Sequence, residues 1–186
     1  THIRNSLNET TTIFWGNPEI NFAINMTKDE LWKIIRDARE DYFLYRSGTT
    51  PYYSLSISAD TFAYVLPTDL VEVRQLIPDP TATDGTEDYT FTPIDISHPD
   101  FIASRLESSS TSDPTPTDFF YDVVASQYDG TQLLYLAPTP RSAFTALLAY
   151  VRSLPDMTDD DHTCDLPPEH HKVMVPMAVD WLMKKD

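Results

Sequence analysis

Hydrophobic positions along this chain follow two rhythms, one helical and one alternating. In residues 27–46, Leu31, Ile34, Ile35, Ala38 and Tyr42 recur at helical spacing, while Lys33, Arg36, Asp37 and Glu40 fall elsewhere. Thr27-Lys-Asp-Glu30 in front of them reads as a capping box, in which the Thr hydroxyl and the Glu carboxylate satisfy orphan amides of the first turn. Gly48 stands where such a helix stops. From Pro51 the rhythm changes to strands. Tyr52–Ser58, Thr61–Leu66 and Leu70–Ile77 are rich in Tyr, Val, Leu and Ile and are bounded by Ser58-Ala-Asp60 and Pro67-Thr-Asp69. A polar loop, 78–88, leads to a short strand over Tyr89–Ile94, and Ser97 with Pro99 opens a brief helix to about Leu106.

After an exposed loop at 107–118, Phe119–Gln127 and Gln132–Leu136 predict a hairpin, with Asp129-Gly130 supplying a type I′ turn. Ala143–Val151 is a strand with two apolar faces: Phe144, Ala146, Leu148 and Tyr150 on one, Leu147, Ala149 and Val151 on the other. It requires cover on both sides, from a helix layer or from another subunit. An acidic, proline-marked break then leads to a closing helix, with Asp165 as its expected cap and Pro167 and Pro168 in its first turn. Together these elements predict an α+β fold within one domain, 1–186. Helical parts at 27–46 and 167–184 pack together, and a mainly antiparallel β-sheet or sandwich body at 51–152 lies between them in sequence.

Charge and composition narrow the function. Formal net charge is −16. Residues 1–50 carry 6 basic and 7 acidic side chains, 51–166 carry 4 and 19, and 167–186 carry 3 and 3. So acidic a middle repels phosphate and argues against a tight nucleic-acid binder, though not against DNA that slides past. With 15 Pro and 4 Gly the loops should be stiff. Cys164 is the only cysteine, which excludes an internal disulfide. No run has the length of a membrane span, and Thr1-His-Ile-Arg-Asn-Ser-Leu-Asn lacks a signal-peptide pattern, so a soluble protein made in the cytosol is expected.

Candidate chemistry is sparse. His162, Cys164, His170 and His171 cluster near the break, but their spacing matches no zinc motif, and adjacent histidines diverge by about 100° on a helix. Asp79, Asp84, Glu87 and Asp88 lack the spacing of an EF-hand. The four glycines are isolated, which leaves no phosphate loop, and no serine has a nucleophile-elbow context. Paired carboxylates of the glycosidase kind stay open, because the acidic residues are many. No catalytic residue, metal or cofactor is expected. Trp15, beside Gly16 and Pro18, suits either an interface or a fold of its own domain onto itself.

The order of these segments resembles head-to-tail adaptor (connector or neck) proteins of tailed bacteriophages, including those called tail tubular protein A. The resemblance covers about residues 14–183. It rests on Trp15-Gly-Asn-Pro18 before the helix Thr27–Tyr45, then Tyr53-Ser-Leu and Leu66-Pro-Thr-Asp-Leu-Val-Glu-Val73, and last Leu134-Tyr-Leu-Ala-Pro-Thr-Pro140 and Leu166-Pro-Pro-Glu-His170. Pro176 inside the last helix departs from it, as does the stop at Lys184-Lys-Asp186, where relatives often continue into a tail that engages the portal. The resemblance implies a non-enzymatic virion protein: a homo-oligomeric ring, commonly of twelve copies, seated between portal and tail tube or nozzle protein, with double-stranded DNA passing through and no membrane partner. Interface residues expected on this reading are Trp15, Phe144, Leu148, Trp181, Lys184 and Lys185. The competing expectation is a β-sandwich that binds carbohydrate or a host surface through Trp15, Tyr52, Tyr53 or Tyr128, with calcium in its acidic loops.

Overall fold

The computed structural model describes residues 2–7, 15–39, 41–46, 50–82, 88–107, 116–126, 130–158 and 164–184. Its elements in chain order are α1 (His2–Ser6), α2 (Asn17–Ala38), β1 (Tyr53–Ile57), β2 (Ala63–Val65), β3 (Leu70–Pro78), β4 (Thr90–Pro93), α3 (Pro99–Glu107), β5 (Asp118–Ala125), β6 (Gln132–Ala137), β7 (Phe144–Arg152) and α4 (Pro168–Met183). This is the expected α+β class. The chain divides into two compact units, a helical one from 1–43 and 154–186 and a β one from 44–153.

In the helical unit, α2 starts ten residues before the expected Thr27. Gly16 is the N-cap, Pro18 sits in the first turn where a missing amide costs nothing, and the Glu19 carboxylate accepts the Gly16 N–H at 3.1 Å. Thr27 is therefore an interior residue, fully buried. The helix ends at Ala38, well before Gly48, which lies outside the described residues. The buried face also differs from the expected one. Its buried residues are Ile20, Ala23, Thr27, Lys28, Leu31, Trp32 and Ile35, whereas Ile34 is 56% exposed and Tyr42 42%. The Thr27 capping motif puts the helix start too late and so leaves out Ile20 and Ala23, which continue upstream the stripe of Leu31 and Ile35.

Across α2 lies α4, and α1 also packs on α4. Ile3, Ile20, Ala23, Ala178 and Leu182 form the shared core, with Trp15 and Leu7 packed against it. The cap of α4 is Pro167 rather than Asp165, and no side chain caps it. Pro176 lies within α4, which continues through it to Met183.

The β unit is a sandwich of a three-stranded sheet, β1-β7-β3, and a four-stranded sheet, β2-β6-β5-β4. All pairings are antiparallel except β4 with β5, which is parallel. Inward residues of both sheets meet in one cluster, including Leu55, Leu76, Phe119, Leu134, Leu136 and Leu148. Such alternation, one face in and one face out, is what period-2 patterning produces. The expected β5–β6 hairpin is present: Ala125 pairs with Gln132 and the Ser126 N–H donates to the Thr131 carbonyl, while 127–129, where the expected turn falls, lie outside the described residues. Gly130 takes φ +71°, which glycine adopts without strain; Asp129 lies outside the described residues.

The doubly apolar strand is explained by its place. As the middle strand of its sheet, β7 turns Phe144, Ala146, Leu148 and Tyr150 into the sandwich core. On its second face Thr145, Leu147 and Ala149 are half-buried, and Val151 is buried and bridged by Leu44.

Candidate assembly surface

The described residues hold no group of three or more His, Cys, Asp or Glu placed to bind a metal. At the break the Cys164 thiol contacts the Met174 sulfur at 3.7 Å, and His171 Nε2 lies 2.8 Å from the Leu166 carbonyl, so these side chains fasten the entry of α4. His162 lies outside the described residues, as do Asp84 and Glu87 of the acidic loop. Asp79 receives the Thr81 N–H at 2.9 Å and the Thr81 hydroxyl at 2.7 Å, a local turn. Among the tyrosines expected as stacking platforms, Tyr53 meets Tyr45 and Tyr150 edge-on, and Tyr45 stacks on Tyr150 with ring centroids 5.0 Å apart. Burial, and then the Tyr150 hydroxyl's hydrogen bond to Asp69 at 3.0 Å, push the Tyr150 phenol well above the usual range. Tyr128 is outside the described residues.

The expected interface residues divide into three groups. Phe144 and Leu148 are in the sandwich core, 7% and 0% exposed; their apolar character is explained by the opposite sheet, and they present no surface to a neighbour. Trp15 is half-buried against the α2–α4 core, which is the self-packing reading of that residue. Trp181 and Lys184 are at the surface, and Lys185 lies outside the described residues. Trp181 is 37% exposed and meets Phe22 of α2 edge-to-face, with centroids 5.8 Å apart. Lys184 reaches back one turn to Asp180 at 2.6 Å, and that hydrogen bond raises its pKa.

Sequence reasoning missed what surrounds Trp181. Phe22 is 57% exposed, and Met26, one turn on, is 37% exposed. Beside the Phe22–Trp181 ridge lies a cleft of about 510 Å³ lined by Glu30, Met177, Asp180, Trp181 and Lys184. Phe22 also lines a groove of about 650 Å³ between α2 and the extended segment 156–158.

That extended segment is held by a polar seam, also missed. Asn21, Asn25 and Lys28 stand at steps of four and three residues on one side of α2. Asn21 Nδ2 donates to the Thr158 carbonyl (3.1 Å). Asn25 grips both sides of Met157, donating to its carbonyl (3.2 Å) and accepting from its N–H (2.8 Å). Lys28, 1% exposed, donates to the Pro155 carbonyl (2.9 Å), the Asp156 carboxylate (2.9 Å) and, more weakly, the Leu154 carbonyl (3.4 Å). The carbonyls and carboxylate replace the water the ammonium gave up on burial. Because the helical unit includes 154–166, its formal charge is −7, with 8 basic and 15 acidic residues, against −9 for the β unit, with 5 and 14. Both units are therefore acidic, not only the middle of the sequence.

Among the described residues no helix is long and apolar enough to cross a membrane. No curated protein matches the chain. The family model described as SU10 adaptor protein matches residues 1–185. With this match over nearly the whole chain, and with helices at both ends and a β-sandwich between them in sequence, the chain belongs to this family of phage head-tail adaptors and is a virion structural adaptor.

Proposed function

We propose that this chain forms a homo-oligomeric ring, a dodecamer, between the portal and the tail tube or nozzle of the virion, and that double-stranded DNA passes through it without specific binding. The protein is non-enzymatic on this reading, is made in the host cytoplasm and ends in the neck of the particle. The observation that carries it is the family match over residues 1–185. Two physical features support it. Net negative charge on both units keeps a DNA backbone from adhering to the wall of a channel. An exposed aromatic ridge, Phe22 and Trp181, gives the helical unit a surface suited to a protein partner.

Electron microscopy of the purified chain, alone and with portal from the same virion, tests this. Closed rings that join the portal are expected; a persistent monomer that never enters portal-bound rings would overturn the reading.

A further inference from the structure

The Phe22–Trp181 ridge has the anatomy of a docking site. Monomeric surfaces seldom expose two large aromatic rings together, and aromatic residues between two concavities are the usual anchors of interfaces. Phe22 lines an amide-bearing groove with Asn21, Asn25 and Met157, and Trp181, which it meets edge-to-face, lines a cleft with Met177 and the charged residues Glu30, Asp180 and Lys184. The occupant is constrained by charge. In the cleft two carboxylates, Glu30 and Asp180, face one ammonium, Lys184, already bound to Asp180. A second copy meeting this face through its own copy of the same face sets Glu30 and Asp180 against Glu30 and Asp180, which adds repulsion. A nucleic acid brings phosphate and is repelled too. Lysine or arginine beside apolar side chains complements the cleft: the cation meets Glu30 and Asp180 while the apolar groups cover Met177, Trp181 and the adjoining Phe22.

We propose that the Phe22–Trp181 face is the docking site for a basic, apolar segment of a protein other than this chain. The proposal rests on the adaptor reading for its setting and names the chemistry of the partner. It takes Phe22 and Trp181 as the anchors and Asp180 and Glu30 as the charge selectors. Contacts between copies then lie elsewhere.

The test uses the full chain as wild type and as Phe22→Ser, Asp180→Lys, Trp181→Phe and, at an exposed position of β2 in the other unit, Val65→Ser. Each is exposed, so folding is checked simply by thermal melts. Two probes are used: heads isolated from an infection in which this chain is not made, and a short lysine/leucine amphipathic peptide with its glutamate/leucine twin. Self-association is followed by sedimentation. Expected is binding of the lysine peptide over its twin, weakened about tenfold or more by Phe22→Ser and by Asp180→Lys, nearly kept in Trp181→Phe and unchanged in Val65→Ser. Attachment to heads should follow the same order, with self-association unaltered. Loss of self-association in Phe22→Ser would overturn the proposal by making this a contact between copies, and so would peptide binding indifferent to all four substitutions. If wild-type chain fails to join heads while the peptide results hold, the adaptor reading falls and the docking chemistry stands.

Discussion

Thr27→Val separates two accounts of α2 by the sign of its effect. If the helix began at the Thr27-Lys-Asp-Glu30 motif, valine would remove an N-cap and cost about 1 kcal/mol. In the structure Thr27 is 0% exposed in mid-helix, and its hydroxyl has no hydrogen-bond partner among the described residues. A buried hydroxyl without a partner is unfavourable by roughly 1–3 kcal/mol on mutational scales. Valine replaces that oxygen with a methyl of similar size, and its helix propensity is close to that of threonine. The expected result is stabilisation by about 1–2 kcal/mol, which for a chain of this length raises the melting temperature by roughly 2–8 °C. Urea and thermal denaturation followed by circular dichroism measure it. A loss of 1 kcal/mol or more would refute the placement of Thr27 inside the helix.

Other outcomes follow from the same packing. Lys28→Met keeps most of the side-chain stem and removes the ammonium; it should destabilise by about 1–3 kcal/mol, because carbonyls at 154 and 155 lose their donor. Hydrogen exchange at the Met157 amide, bound to Asn25, should quicken in that variant, and unchanged exchange would show that the seam does not hold the segment. Leu148→Ala, at the centre of the sandwich and 0% exposed, should cost about 2–5 kcal/mol in urea titrations; an effect under 1 kcal/mol would contradict its core placement. Burial pushes Tyr64 up to about 12, and Tyr121 is raised by burial as well. A phenol held protonated in the folded state adds stability that is whole below the ordinary value near 10 and is lost as pH rises toward 12. Melting temperature should therefore fall between those pH values, and less steeply in Tyr64→Phe; a flat profile would contradict the burial of these rings.

How much was legible depended on whether a signal was local. Richness in Val, Leu and Ile between turn signals marks Leu70–Ile77 as a strand, although register shifts at Leu70/Glu72 and Val73/Gln75 break any strict alternation in it, and Phe119–Gln127 with Gln132–Leu136 holds as a hairpin pair in β5 and β6. Periodicity marks two apolar faces on Ala143–Val151 but does not say that the face carrying Leu148 is covered by the chain's own second sheet. The start of α2 was misplaced because Thr27 and Glu30 satisfy a four-residue rule by chance. The competing signal, Gly16 with Pro18 and Glu19, was present upstream, and Ile20, Ala23, Thr27, Leu31 and Ile35 continue one stripe from it. The seam of Asn21, Asn25 and Lys28 had no local signature, since its partners lie 126 to 137 residues away along the chain. The Phe22–Trp181 ridge was invisible for the same reason: two aromatic residues on different helices become one surface only when α2 and α4 pack.

The adaptor account is tested most directly by cryo-electron microscopy of the intact virion neck, at a resolution that traces individual chains. It predicts a closed ring of this chain between portal and tail, with α2, α4 and the seven-stranded sandwich recognisable in each copy and DNA passing through without ordered contacts. A neck in which portal and tail meet directly, with this chain absent or bound outside the DNA path, would contradict it.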